Sequence, residues 1–114
     1  MEFAHEKRTA ARLLAGLEDG SPPLQDLRMD YEEADPALIT LMFRWLRARY
    51  HAGHGASQGV LGRIVELCRL SPAVARAAKK GERDFIVVWF AETYEAGELD
   101  REDFISLVVE KLEG

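Results

Sequence analysis

The chain is poor in the features that staple small domains or carry them into membranes. Among its 114 residues there is a single cysteine, Cys68, which excludes an intrachain disulfide. Packing must therefore hold the fold, and hydrophobic residues at 47% are enough to supply a core. No apolar run approaches the roughly 18 residues a membrane span requires; the longest is Phe85-Ile86-Val87-Val88-Trp89-Phe90-Ala91. The first residues, Met1 to Arg8, lack the apolar stretch of a signal peptide. These absences lead to the expectation of a soluble, cytoplasmic chain forming one helical domain over 1–114, with no membrane partner.

Catalytic and metal-binding patterns are missing as well. There is no Gly-rich phosphate loop, GxSxG elbow or HExxH motif. His51 and His54 have the spacing of two zinc ligands, but only His5 and Cys68 remain to complete a set of three or four. The stretch from Glu92 to Asp103 resembles an EF-hand loop, with Gly97 at the sixth position and a carboxylate at the twelfth. Tyr94 and Ala96 stand where calcium needs carboxylates at the third and fifth. A helix–Gly–helix turn explains it better. No enzyme activity, cofactor or metal is expected.

What is present is helix punctuation. Ser21-Pro22, Asp35-Pro36 and Ser71-Pro72 each set an N-cap oxygen before a proline at the first helical position, where its missing N–H costs nothing. Asp100, with Asp103 three residues on, reads as another start. Gly20, Gly53, Gly81 and Gly97 offer stops through the left-handed conformation glycine tolerates. The spacing predicts helices at 2–18, 23–33, 36–52, 57–69, 72–80, 83–96 and 100–112. An apolar face of Val60, Leu61, Ile64, Val65, Leu67 and Cys68 in the fourth makes Cys68 a core thiol. The run Phe85–Phe90 also suits a strand, but a lone strand would have no partner.

A shift of 44 residues superimposes Trp45 on Trp89, Tyr50 on Tyr94, Gly53 on Gly97 and Val65 on Val109. The expected fold is thus an all-α compact bundle of six to seven helices. Within it, 41–68 and 85–112 read as two pseudo-symmetric hairpins that form a four-helix core, with 2–18 and 23–33 outside it.

Charge separates the two copies. Residues 36–81 carry eight basic residues and one acidic, whereas 1–35 carry four against nine and 82–114 three against ten. Thr40, Arg44, Arg47 and His51 fall on one helical stripe whose counterparts are Asp84, Val88, Ala91 and Glu95. Arg49 lies within the apolar arc, which suits either stacking on Trp45 or anchoring an anion. The candidate partner-binding residues are Arg44, Arg47, Arg49, His51, Lys79 and Lys80. The favoured reading is a non-enzymatic helical protein–protein interaction module, an adaptor or regulator, with self-association open to it. One alternative is nucleic-acid binding by the basic middle through Arg44, Arg47, Arg63, Arg76, Lys79 and Lys80. Another is an acidic inhibitor or immunity-type protein that masks a basic partner.

Overall fold

The computed structural model describes residues 2–19, 23–51, 55–94 and 98–113, and among them finds seven α-helices and no strand. In chain order these are α1 (Glu2–Asp19), α2 (Leu24–Glu33), α3 (Pro36–Arg49), α4 (Gly55–Leu70), α5 (Pro72–Gly81), α6 (Phe85–Thr93) and α7 (Arg101–Glu113). The fold is all-α, and the β-branched run Phe85–Phe90 is helical. None of the helices is long and apolar enough to cross a membrane.

The predicted caps form. The Asp35 carboxylate accepts from the Ala37 N–H at 2.8 Å, Ser71 Oγ from the Val74 N–H at 3.2 Å, and Asp100 from the Asp103 N–H at 2.8 Å. Each such cap contributes about 1 kcal/mol. A further cap was not anticipated: Asp84 accepts from the Ile86 N–H at 2.8 Å, so α6 begins at Phe85 rather than at 83. The predicted cap Ser21-Pro22, the stops Gly20, Gly53 and Gly97, and His54 lie outside the described residues, as do Ala96 and Gly97 of the EF-hand-like stretch.

A single buried cluster draws on all seven helices. Its axis is α3, in which every residue from Ala37 to Phe43, together with Trp45 and Leu46, is buried. Trp45 stacks on Phe104 with ring centroids 4.9 Å apart, and its Nε1 donates to the Leu99 carbonyl at 3.0 Å. Phe90 meets Phe104 edge-on at 5.8 Å, which joins α6 to the same aromatic group. On the other side, Tyr31 packs against Phe43 and donates to the Leu13 carbonyl at 3.0 Å, linking α2 to α3 and α1.

The expectation that the first two helices lie outside a four-helix core is corrected. Leu13, Leu14 and Leu17 of α1 are fully buried, and α1 packs along α7. The tightest partner of α3 is α5, which was expected to be only a crossover. Here α5 presents Val74, Ala78 and Gly81 to its neighbours, and the Thr40 hydroxyl donates to the Ala78 carbonyl. Gly81 ends α5 as predicted, but for another reason: it is a buried helical residue with no room for a side chain. The pseudo-symmetry is not carried into the environments of matched residues. Leu41 is fully buried whereas Phe85 is 73% exposed, and Val65 is 54% exposed whereas Val109 is buried.

Candidate functional site

Among the described residues, three ion pairs lie within the acidic ends of the chain. Lys7 pairs with Glu110 at 3.6 Å, Arg12 with Asp30 at 2.9 Å and Arg101 with Glu18 at 3.4 Å, all within 1–35 and 82–114. The remaining pair, Arg69 with Glu66 at 4.0 Å, lies within α4. Among the described residues, Arg44, Arg47, Arg76, Lys79 and Lys80 of the middle form no ion pair.

Two arginines of the middle are nevertheless committed to the fold. Arg63 donates to the Gly16 carbonyl at 2.9 Å, closing α4 onto α1. Arg49 places its guanidinium 5.0 Å from the Trp45 ring centroid and 5.7 Å from that of Tyr50. Of the two readings of Arg49, stacking is the one observed. Its Nε also reaches the Tyr50 hydroxyl at 3.4 Å, and that hydroxyl donates to Glu18 at 2.6 Å. The Glu18 hydrogen bond, with lesser desolvation, raises the Tyr50 pKa.

The stripe predicted on α3 is broken. Thr40 is buried against α5 and does not belong to a surface, and its supposed counterpart Asp84 is a cap. Arg44, Arg47 and His51 are exposed. Arg47 lies close enough to Cys68 to oppose, in part, the rise in thiol pKa that burial causes. Cys68 is half-buried rather than a core residue, because α4 turns Val65 and Glu66 outward beside it.

What the structure does assemble is on α5. Arg76, Lys79, Lys80 and Arg83 line one shallow depression, joined by Glu82. The first three follow i, i+3, i+4 and so share a helix face, opposite the Ala78–Gly81 face that meets α3. Arg83, in the turn after α5, continues the spacing at i+7. Lys79 and Lys80 also sit in the last turn, where cations offset the helix dipole. A neighbouring hollow lined by Asp35, Asp84 and Gly81 shares Lys80 and Arg83 with the first. Of the six predicted residues, Lys79 and Lys80 fall here; Arg44, Arg47, Arg49 and His51, on α3 and just beyond it, do not line either depression. Arg83 was missed because segment-wise charge counting assigns it to the acidic end. Its i+7 relation to Arg76 was the available signal.

An all-α globule with an exposed cationic helix face is therefore the class that fold and site define. Comparison with protein-family models, with curated proteins and with solved structures finds no match for this chain.

Proposed function

We propose that the chain is a non-enzymatic interaction module, an adaptor or regulator acting in the cytoplasm, that binds an acidic partner protein through the outer face of α5. The observation that carries this reading is the set Arg76, Lys79, Lys80 and Arg83, one-sided and without an ion pair among the described residues. Cations grouped this way raise the local potential and steer an anionic partner into register. Asp35, Glu82 and Asp84 border the patch and Arg63 is withdrawn from it, which favours discrete carboxylates over a continuous phosphate backbone.

The test compares the wild-type chain with Arg76→Glu/Lys79→Glu/Lys80→Glu, immobilised side by side and exposed to native lysate. The expected result is a protein retained by the wild type alone, with binding reproduced from purified components and weakened by salt. Identical retention on both, together with oligonucleotide binding at about 50 mM salt that falls steeply as salt is raised, would replace this reading with the nucleic-acid one.

A further inference from the structure

Two residues past Arg83, after the cap Asp84, the chain enters an apolar helix. Asp84 caps α6, so the chain leaves the Arg83 turn with Phe85 as the first helical residue, and its side chain is 73% exposed. Val88, one turn on, is 41% exposed, and Ala91 and Glu92 complete the exposed side. Only Val87 and Phe90 of this apolar helix are buried. The fold therefore uses one side of α6 and leaves a second apolar side open to water. Met29 and Val65, the other large exposed hydrophobics among the described residues, stand singly on α2 and α4. Isolated residues of that kind are ordinary, whereas Phe85 and Val88 lie one turn apart on one helix that begins two residues after Arg83.

We propose that the Arg76–Lys79–Lys80–Arg83 face and the Phe85–Val88 stripe form one docking surface for an acidic amphipathic helical segment of a partner protein. Its carboxylates meet the cations while its apolar side chains cover Phe85 and Val88. This rests on the interaction-module reading and names the chemistry of the partner. Charge complementarity sets the sign of the occupant, and the adjoining stripe requires that it also bring apolar residues. Nucleic acid supplies the charge but offers an unbroken phosphate chain to a patch interrupted by Glu82 and Asp84. An anionic lipid surface meets the same repulsion. A peptide helix can place each carboxylate separately, with apolar anchors on an adjacent arc.

The experiment is a selection from a displayed random library of peptides about 15 residues long, roughly four helical turns, against the full-length chain. Enriched peptides should be acidic and carry apolar residues at i, i+3 or i+4, and i+7. Their affinity should fall at least about tenfold on Phe85→Ser/Val88→Ser and again on Arg76→Glu/Lys80→Glu. All four positions are exposed, and circular dichroism would check that the variants remain folded. Acidic peptides without apolar periodicity, indifferent to Phe85→Ser, would overturn this inference and leave the interaction module standing. Enrichment of no peptide would overturn it too. So would Phe85-dependent binding to phosphatidylserine vesicles, or a Phe85-dependent dimer in sedimentation, each of which identifies a different occupant. Failure of the module reading is seen separately, as identical protein capture by the wild type and the charge-reversed chain.

Discussion

Gly81 and Pro36 approach so closely that a Cβ on Gly81 would lie 2.3 Å from the Pro36 carbonyl oxygen. The same Cβ would be 2.5 Å from Thr40 Oγ1, so relief on one side is closed by the other. The obstacle is backbone and a short side chain held by the Ala78 carbonyl, neither of which can swing aside. Gly81→Ala should therefore push α5 off α3 and cost about 3 kcal/mol in urea denaturation. A loss below about 0.5 kcal/mol would mean that the two helices are not packed as described.

Two other glycines should respond with the opposite sign. Gly59 and Gly62 lie in α4 with nothing within 4 Å of the position a Cβ would take. Alanine there removes backbone freedom from the unfolded chain without a clash. Each substitution should raise stability by about 0.5–1 kcal/mol, read as a higher melting temperature.

Glu18 ties three helices together at one end of the molecule. Its carboxylate, only 11% exposed, accepts from Tyr50 beyond α3 and pairs with Arg101 at the start of α7. Glu18→Ala strands both partners and should cost about 2 kcal/mol. Glu18→Gln keeps an acceptor for Tyr50 and should cost less. Equal losses would show that the ion pair, not the tyrosine bond, carries the effect.

Alkaline pH should weaken the fold through its tyrosines. Burial holds the Tyr31 pKa well above its ordinary value of 10.0, with the Glu18 charge adding to the rise. The Tyr50 pKa is raised chiefly by its hydrogen bond to Glu18. Above pH 10 the unfolded chain loses these protons first, so it binds fewer protons than the native state and stability falls as pH rises. Melting curves between about pH 9 and 11 should show that decline, and Tyr31→Phe should flatten it relative to the wild type. A variant that parallels the wild type across this range would remove Tyr31 as the cause.

Arginines of the middle segment should divide by role. Arg63→Ala removes a charged donor from the Gly16 carbonyl and should cost about 1.5 kcal/mol. Arg76→Ala, on the open face, should stay within about 0.5 kcal/mol of wild type. Paired denaturation curves decide between this division and one in which both residues serve the fold.

The start signals were legible because a cap is a local event. Asp35-Pro36, Ser71-Pro72 and Asp100 act within three residues of themselves, and each holds where expected. Asp84 was equally local but was read as a member of a stripe, an assignment borrowed from the repeat. What one-dimensional reading could not supply was the neighbour of each face. Thr40 looks like a surface residue until α5 is laid across it, and Val65 looks like core although it is 54% exposed. Lys79 and Lys80 were found by counting charge. Arg83 needed the counting to follow the helical spacing past the glycine.

The close seating of α5 on α3 also bears on the kinetics of recognition. A helix locked at Gly81 and Thr40 would meet the proposed partner already ordered, so association would immobilise only the flexible tails of its lysines and arginines. Encounter should then proceed without a preceding conformational step, at a rate governed by ionic strength. Partner exchange would be controlled by how long the apolar contacts at Phe85 persist.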